Sequence, residues 1–396
     1  MRIRQIEPGD RESISLPIQT YAFQASPAPD HSLDQSRIDQ TKYFKDFVTL
    51  IVEAHGEPVA DASAIPMRQN VRGAVYPMAG IAGVATLPQA RRRGYASSLV
   101  TELLGIMRDS GHVVSALYPF RQSFYARFGF VGLPKSRSVT FPVSNLTGLL
   151  TADLPGEVHW GLPAEHYEEF KAFASELLSS RHGFALSPDS RMVQLRDSGD
   201  RWLAIARVKG TVVGAATYRI TGFGEDLIAD DLLVSGPLGR ALLLRFFAAH
   251  AEQVTRVRAM VPAGELPELW ATDFASETIA TTSFPTSPAP MARVLSLTDM
   301  TGIPVGTGHT DIEVTDDPFI AGTYSLDGTA GLLEVRRTSA SAVDATLTAA
   351  GLSGLVYGVL DPGEITIRGL GRMTDDIAQN LRLMFPARLP YLYTAF

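Results

Sequence analysis

The feature that most constrains the fold is the passage from an apolar strand, through an arginine-rich loop, into a helix. Residues 75–86, VYPMAGIAGVAT, are mostly apolar and predict a buried strand. From Ala96 to Met107 the apolar residues recur at three- and four-residue spacing, which predicts one face of a helix that ends near Gly111. A strand followed by a tight loop and a helix is typical of an α/β unit.

The loop between these two elements has the composition of an anion site. Arg91, Arg92 and Arg93 precede Gly94 at the predicted start of the helix, and the small residue Ala96 follows. Free N–H groups and the positive end of the helix dipole attract anions there, and a glycine lets the backbone approach a ligand closely. The loop matches neither the P-loop nor the dinucleotide fingerprint, because their glycine and lysine spacings are missing. Three solvated arginines on a loop remain the alternative.

The length of the chain and the order of its patterns predict three segments. At 396 residues the chain exceeds the size of one ordinary core. Residues 1–148 alternate strand and helix patterns, as an α/β domain does, and residues 149–285 repeat the order of hairpin, strand and long helix. This repetition favours a diverged internal duplication. The stretch TTSFPTSPAP (281–290) then precedes a smaller α+β domain over residues 286–396.

Composition excludes several classes of site. The chain has no cysteine, which excludes disulfides, thiolate metal sites and a cysteine nucleophile. The net charge of −7 opposes general nucleic-acid binding. The histidines lack metal-ligand spacing, so we expect no metal. No apolar run is long enough to cross a bilayer and residues 1–10 contain no apolar signal segment, so we expect a cytoplasmic protein without a membrane span.

Two motifs carry a family resemblance. RRRGYA, residues 91–96, resembles the R/Q-x-x-G-x-G/A motif of the GNAT superfamily of N-acetyltransferases. SALYPFRQSFYARFGFVG, residues 115–132, resembles the corresponding block of the Eis (enhanced intracellular survival) acetyltransferases. The resemblance implies tandem GNAT-type acetyltransferase domains, α/β in fold, followed by an α+β C-terminal domain of the sterol carrier protein type. It also implies a homo-hexamer arranged as a trimer of dimers.

The resemblance implies acetyl-CoA as the co-substrate, bound in the first domain. In that superfamily the backbone amides of the loop hold the pyrophosphate, and the preceding strand contacts the pantetheine arm and the acetyl group. The residues implied in this chain are Val84, Ala85, Thr86, Arg91, Arg92, Arg93, Gly94, Tyr95 and Ala96. The second unit has SGPLGRALL (235–243) in the corresponding place, which lacks the motif. Gly239 and Arg240 have the chemistry to hold an anion, but we expect a scaffold role. We therefore expect one acetyl-CoA site per chain.

Tyr125 matches the tyrosine that serves as general acid in the Eis family. A phenol with a pKa near 10 is protonated at neutral pH and can donate its proton to a leaving thiolate. The alternative role is anchorage of the ring in the core by its hydroxyl. Tyr118, on or just after the preceding strand, is the competing candidate for the acid.

The resemblance implies that the base is the α-carboxylate of the C-terminal residue, which here is Phe396. Burial in an apolar site would raise the pKa of this carboxylate, and its charge would attract an ammonium substrate. A frayed terminus is the alternative, but the last residues, YLYTAF, are apolar and aromatic. His112 follows Gly111 at a helix end, where a cap or surface role is expected rather than that of the base.

The acceptor implied is an amine of a cationic small molecule, aminoglycoside- or polyamine-like, or a lysine side chain. Ala395 stands where well-known family members have an acidic residue that helps to bind polyamines, which weakens the case for tight aminoglycoside binding. Asp30 and Asp34 lie in a segment that often lines the amine pocket, although an exposed turn and a helix cap also explain them. Phe23 and Tyr43 are candidates for an apolar wall or for core packing.

The function favoured by these residues is acetyl transfer by direct attack of the amine in a ternary complex, because no nucleophile for an acyl-enzyme stands out. The alternative is a non-catalytic acyl-CoA or lipid-binding protein that uses the sterol-carrier-like domain. The presence of both Tyr125 and a terminal Phe396 favours the enzyme.

Overall fold

The computed structural model describes residues 1–24, 39–339, 342–394 and 396. The chain forms two compact units, each assembled from separate segments. The first unit contains Met1–Leu133, Arg181–Met192 and Ser283–Phe396, and the second contains Pro134–Ser180 and Val193–Thr282. The domain boundaries expected from the sequence, after residues 148 and 285, stay a prediction.

The strands are numbered along the chain. They are β1 (Arg2–Ile6), β2 (Val48–Ala54), β3 (Glu57–Val71), β4 (Ala74–Thr86), β5 (Val114–Leu117), β6 (Val131–Gly132), β7 (Arg137–Pro142), β8 (Glu157–Gly161), β9 (Ala185–Leu186), β10 (Trp202–Val208), β11 (Thr211–Ile220), β12 (Asp226–Val234), β13 (Arg256–Val261), β14 (Glu277–Ile279), β15 (Met291–Val294), β16 (His309–Thr315), β17 (Gly322–Asp327), β18 (Glu334–Thr338), β19 (Ala345–Thr348) and β20 (Gly371–Met373).

The α-helices of the described residues are numbered in the same way. They are α1 (Ser15–Phe23), α2 (Tyr95–Asp109), α3 (Gln122–Ala126), α4 (Pro163–Ser180), α5 (Asp189–Arg196), α6 (Pro237–Ala248), α7 (Ala349–Tyr357), α8 (Pro362–Ile367) and α9 (Asp375–Met384). Within the part of the chain that the structure describes, none of the helices has both the length and the apolar character needed to cross a membrane.

The first unit contains two sheets. In the larger sheet the strands follow the order β1-β2-β3-β4-β5-β15-β6, and β9 pairs with β3. The pair β4–β5 is parallel, whereas β3–β4 and the pairs of β15 are antiparallel. The smaller sheet follows the order β18-β17-β16-β19-β20. Strand β15 lies beyond residue 286, and its pairing with β5 and β6 makes it part of the larger sheet.

Helix α2 buries the apolar face that its sequence predicts. The buried residues are Leu99, Val100, Leu103, Leu104 and Met107. They pack in one hydrophobic cluster with side chains of β2, β3 and β4. Burial of a leucine side chain contributes roughly 1.5–3 kcal/mol, so this face fixes the start of α2 beside the end of β4.

The second unit contains one sheet with the order β14-β7-β13-β12-β11-β10-β8. Only β12 and β13 are parallel in the described pairing of this sheet. Helix α6 packs closely on β11, because a Cβ placed on Gly239 would lie 2.0 Å from the carbonyl oxygen of Val213. The absence of a side chain at Gly239 therefore permits the contact between helix and sheet.

Candidate active site

The pairing of β4 with β5 ends before β4 reaches the arginine-rich loop. Their parallel pairing ends at Ile81 and Leu117, and the described pairing of β4 beyond that point, up to Thr86, is with β3. A β-bulge at Gly83 and Val84 interrupts the pairing with β3. Gly83 has a φ of +61°, in the left-handed region that favours glycine. The last residues of β4 are therefore not paired with β5.

A cavity of about 280 Å³ lies beside this part of β4. Residues 81–84 of β4 form one wall, and Gln19 of α1 contributes a polar side chain. The predicted residues Val84, Tyr125 and Phe396 all line this cavity. The aromatic lining consists of Phe23, Tyr118, Phe120, Tyr125 and Phe396. The structure thus brings together residues that are up to 377 positions apart in the sequence, as Gln19 and Phe396 are.

Tyr125 lies on the short helix α3 and is 3% exposed. Its ring packs edge-on against the rings of Phe124 and Phe120, at centroid distances of 4.8 and 5.6 Å. Burial raises the pKa of the Tyr125 phenol above its ordinary value, so the group stays protonated at neutral pH. The competing candidate, Tyr118, donates its hydroxyl to the carbonyl oxygen of Thr394 at 3.4 Å, and burial raises its pKa as well.

Phe396 reaches the cavity because β4 has a glycine where its ring lies. A Cβ placed on Gly80 would lie 3.1 Å from Cε2 of Phe396 and 2.7 Å from Sδ of Met67. The other side of the contact is the ring of Tyr118, whose centroid is 5.6 Å from that of Phe396. The final aromatic residue is therefore packed between a strand and a second aromatic ring.

The residues before Phe396 are held by their own contacts within the first unit. The ring of Tyr393 stacks on that of Phe184, with centroids 4.8 Å apart and planes within 4°. The hydroxyl of Thr394 donates to the carbonyl oxygen of Ala185 at 2.8 Å. These contacts fasten the C-terminal segment to β9 and the residue before it.

The arginine-rich loop ends in an uncapped helix. Arg92 and Gly94 have φ angles of +61° and +83°, and α2 begins at the next residue, Tyr95. The N-terminus of α2 has no side-chain cap and no acidic residue in its first turn. The first N–H groups of a helix lack intrahelical partners and carry a partial positive charge. Together with the exposed arginines 91–93, they have the chemistry of an anion site.

A fourth arginine, which the sequence motif did not indicate, stands beside this helix terminus. The guanidinium of Arg127 donates to the hydroxyl of Ser97 in the first turn of α2 at 2.9 Å. It also lies over the ring of Phe124, with Cζ 4.3 Å from the centroid. Arg127 follows α3, so its approach to α2 depends on tertiary packing.

The other residues that were predicted to bind acetyl-CoA lie at the end of β4 and in the first turn of α2. Ala85 is buried and pairs with Asp61 of β3, and the carbonyl of Thr86 accepts from Nε of Arg91 at 3.2 Å. Tyr95 and Ala96 are half-buried in the first turn of α2.

The contacts of three secondary candidates show which of their alternative roles each one fits. Phe23 lines the cavity, whereas Tyr43 is buried at 7% exposure and belongs to the core. Nδ1 of His112 lies 2.9 Å from the carbonyl oxygen of Met107 at the end of α2, as expected for a helix-end residue. Asp30, Asp34 and Ala395 lie outside the described residues. The described residues contain no group of three or more His, Asp or Glu that could hold a metal ion.

Sequence reasoning also missed Gln19, which lines the cavity. Its amide contacts the buried carboxylate of Asp61, 42 positions later in the sequence, at 2.7 Å. Neither residue belongs to a motif, and no local pattern links them.

Part of the chain is similar to proteins of a known family. The profile of the family described as an acetyltransferase (GNAT) domain matches residues 2–132. These residues are therefore similar to GNAT acetyltransferase domains. N-acetyltransferase Eis of Mycobacterium tuberculosis (strain ATCC 25177 / H37Ra) is 32% identical to the chain over 139 residues, which are 33% of this chain and 34% of Eis. The resemblance to Eis is thereby confirmed, over about a third of the length of the curated relative.

Solved structures match the fold over nearly the whole chain. A probable N-acyltransferase from Enterococcus faecalis V583 matches with a TM-score of 0.85 and 18% identity, over 100% of this chain and 99% of that one. Eis1 from Mycobacterium abscessus matches with a TM-score of 0.78 and 19% identity, over 100% of both chains. At these identities the likeness establishes the fold alone. The prediction of a mixed α/β fold of the GNAT type is confirmed.

Proposed function

We propose that the chain is an acetyl-CoA-dependent N-acetyltransferase. The observation that carries this proposal is the cavity that Tyr125 and Phe396 line together with residues 81–84 of β4, the strand that precedes the uncapped helix α2. The acceptor is an amine of a cationic small molecule or a lysine side chain.

The residues of the loop fit the phosphates of acetyl-CoA. The uncapped N–H groups of α2 supply donors, and Arg91, Arg92 and Arg93 supply positive charge. The space beside Gly94 is open, because a Cβ placed there would meet no atom within 4 Å. The backbone of Val84, Ala85 and Thr86 then holds the pantetheine arm and the acetyl group, which acetyl-CoA supplies as a thioester.

The reaction needs a base that accepts a proton from the amine and an acid that donates a proton to the leaving thiolate. A bond forms between the amine nitrogen and the acetyl carbon, and the bond from that carbon to sulfur breaks. The α-carboxylate of Phe396 accepts the proton that the amine loses, directly or through a water. Tyr125, whose burial keeps the phenol protonated, donates a proton to the leaving thiolate. The products are an amide and free CoA, and no acyl-enzyme is formed.

The rest of the predicted layout belongs to the same proposal. The second segment is a GNAT-like domain without its own acetyl-CoA site, and the third is a sterol-carrier-like domain that delivers Phe396. Two observations in the second unit support the scaffold role: Arg240 forms an ion pair with Glu265, and Gly239 packs on β11. The assembly is a hexamer, which mass measurement in solution tests.

The experiment is acetyl-CoA turnover with a panel of polyamines, aminoglycosides, simple primary amines and lysine peptides. It compares the wild type with Tyr125→Phe and with a chain that carries one added Gly after Phe396. Losses of roughly a hundredfold or more in both variants support the acid and the base. Full activity with the added Gly overturns the assignment of the base. Binding of acetyl-CoA without turnover of any amine favours the alternative, a non-catalytic acyl-CoA-binding protein.

A further inference from the structure

The first unit contains a buried histidine that the proposed chemistry does not use. His182 is 3% exposed. It lies in the segment Arg181–Met192, which belongs to the first unit although the residues before and after it along the chain belong to the second. Nδ1 of His182 accepts the backbone N–H of Arg72 at 3.0 Å, and Nε2 lies 3.0 Å from the carbonyl oxygen of Tyr357. The ring therefore joins the turn after β3 to the last residue of helix α7.

These two contacts fix the tautomer of His182. The backbone N–H of Arg72 is a donor, so Nδ1 carries no proton, and Nε2 carries the proton that it donates to the carbonyl oxygen of Tyr357. Burial, together with the positive charges of Arg72 and Arg388, lowers the pKa of His182 to about 4. The ring is therefore neutral at neutral pH and keeps both hydrogen bonds.

The residues that follow His182 lie along an edge of β3. The described pairing of β2 with β3 ends at Ala64, and β9 pairs with β3 further along, at Gln69. The N–H of Gly183 donates to the carbonyl oxygen of Asn70 at 2.8 Å, and the side-chain amide of Gln69 donates to the carbonyl oxygen of Gly183 at 3.0 Å. The buried end of β3 thus fixes the position of residues 182–185.

The same four residues hold the end of the chain. The N–H of Tyr391 donates to the carbonyl oxygen of His182 at 2.9 Å. The next contacts of the C-terminal segment, the stacking of Tyr393 and the hydrogen bond of Thr394, fall on the two residues that follow Gly183. The two segments therefore lie side by side, and the last of these contacts is two residues before the C-terminus.

Gly183 allows the C-terminal segment to lie this close. Its φ is +81°, and a Cβ placed on it would lie 2.5 Å from the backbone nitrogen of Tyr391 and 2.7 Å from Cα of Pro390. Backbone atoms cannot swing aside as the end of a flexible side chain can, so a side chain at position 183 would displace the segment. The glycine permits both the left-handed backbone and the contact.

Arg72 fixes the start of the C-terminal segment. This arginine is buried. Its Nε donates to the carbonyl oxygen of Val356 in α7 at 2.7 Å, and its Nη2 donates to that of Pro386, after α9, at 3.0 Å. Arg72 and His182 thus both use the last turn of α7 as an anchor for the residues that lead to Phe396.

We infer that residues 182–185 form a clamp for the C-terminal segment, and that His182 and Gly183 are positioning residues that set the place of the Phe396 carboxylate in the cavity. One side of the clamp is bonded to β3 and α7, and the other side holds the C-terminal segment. The inference rests on the proposed function for the role of this carboxylate as the base.

The test measures how fast carboxypeptidase A releases phenylalanine from the native, full-length protein, followed by the mass of the chain. The protease needs a free C-terminus, so the rate reports how often the terminal residue leaves its place. The proteins are the wild type, Gly183→Ala, His182→Leu, His182→Gln and the control Gly210→Ala. Gly210 has a φ of +79° and open space around it, so its substitution brings similar backbone strain away from the clamp.

We expect slow release from the wild type and from Gly210→Ala. Release should be roughly tenfold faster or more in Gly183→Ala and His182→Leu, because the C-terminal segment opens more often. His182→Gln retains an N–H that can reach the carbonyl of Tyr357, so its rate should lie between those of the wild type and His182→Leu.

The same proteins are compared in steady-state kinetics with the amine that the wild type acetylates best. In Gly183→Ala and His182→Leu, kcat should fall by roughly tenfold or more, since the base loses its position. The KM for acetyl-CoA should change by less than about twofold, whereas a general loss of folded structure would affect both substrates.

A milder variant keeps the test decisive even if Gly183→Ala folds poorly. Thr394→Val removes only the hydroxyl of a half-buried side chain, which donates to the carbonyl oxygen of Ala185. Loss of this one hydrogen bond should make the release of phenylalanine roughly threefold faster or more.

Equal release from the wild type, His182→Leu and Thr394→Val overturns the inference, and so does a rise in Gly210→Ala as large as that in Gly183→Ala. Faster release with an unchanged kcat overturns the positioning role, because the carboxylate would then not be needed in its place. If the wild type turns over no amine, the proposed function fails, and the release rates alone decide whether the clamp stands.

Discussion

The rings of Tyr118 and Phe396 meet edge to face, with centroids 5.6 Å apart and planes at 72°. The two residues are 278 positions apart in the sequence, yet both line the cavity beside β4. The contact depends on Gly80, whose missing side chain leaves space for the ring of Phe396. Phe396 can therefore occupy this position because the residue of β4 that faces its ring is a glycine.

Gly80→Ala should shift the ring of Phe396 in the cavity. The added methyl group would lie 2.7 Å from Sδ of Met67, which must move, and 3.1 Å from the Phe396 ring, which must shift slightly. We expect kcat to fall by roughly tenfold or more, with acetyl-CoA binding unchanged, because the proposed base loses its position. Gly105→Ala is the control, since its Cβ makes an ordinary contact of 3.7 Å with Phe319. Equal effects of the two substitutions would refute this account.

Tyr125→Phe should lower kcat by roughly a hundredfold or more, in the range of lost general-acid catalysis. Burial raises the pKa of Tyr125 above its ordinary value. The phenol therefore stays protonated between about pH 6 and pH 9, and the loss should be the same across this range. Tyr118→Phe is the matched control, because its hydroxyl bonds to the carbonyl oxygen of Thr394. A pH–rate profile of the three proteins decides which tyrosine donates the proton.

Gly94→Ala should raise the KM for acetyl-CoA by roughly tenfold, with little change in kcat. Gly94 has a φ of +83° and open space around its Cα, so an alanine there strains the backbone by about 1 kcal/mol without a clash. Gly111, at the other end of α2, has a φ of +87° and equally open space. Gly111→Ala therefore carries the same strain away from the anion site. If both substitutions raise the KM alike, the loop does not bind the phosphates.

Asp61 should make stability depend on pH. Burial raises its pKa to about 7, against the opposing charge of Arg11 and the hydrogen bonds from Ser15 and Gln19. The folded state then binds a proton more tightly than the unfolded state does. The stability from this proton is fully present below about pH 4 and is lost as the pH rises through about 7.

The variant Asp61→Asn cannot titrate at this position. Relative to this variant, the wild type should lose unfolding free energy between about pH 4 and pH 7, on the order of a few kcal/mol. Urea unfolding at several pH values measures the difference. Parallel pH curves for the two proteins would show that the carboxyl group of Asp61 does not carry the effect.

Replacing one partner of the buried ion pair between Arg293 and Asp317 should lower the unfolding free energy strongly. The side chains are 1% and 2% exposed, with Nη2 and Oδ2 2.8 Å apart. Arg293→Met leaves a buried charge without its partner and should lower the unfolding free energy by about 3–5 kcal/mol. The double variant Arg293→Met/Asp317→Asn should recover part of this loss, because both charges are gone.

Denaturant unfolding compares these variants with a matched exposed pair. Arg336 and Glu334 form an ion pair with side chains 71% and 56% exposed, so Arg336→Ala should leave the unfolding midpoint almost unchanged. If Arg293→Met lowers the unfolding free energy as little as Arg336→Ala does, the buried pair is not a stabilising contact of the first unit.

The strand, loop and helix around the arginine motif were predictable because their signals are local. The strand expected at residues 75–86 is β4, Ala74–Thr86, and the expected helix is α2, Tyr95–Asp109. Apolar periodicity specifies which face of α2 is buried, and a glycine before the helix permits the left-handed turn. Each of these signals lies in, or directly beside, the element that it predicts.

The amino-acid sequence by itself determined the α/β pattern, the arginine loop with its glycine, and the motif that carries the resemblance to the GNAT family. Only the tertiary structure decided that Phe396 lies against Gly80, that Arg127 reaches Ser97, and that the Gln19 amide lies between Asp61 and the cavity. The physical reason is distance along the chain. Strand pairing and burial bring these side chains together, and neither is encoded in the spacing of neighbouring residues.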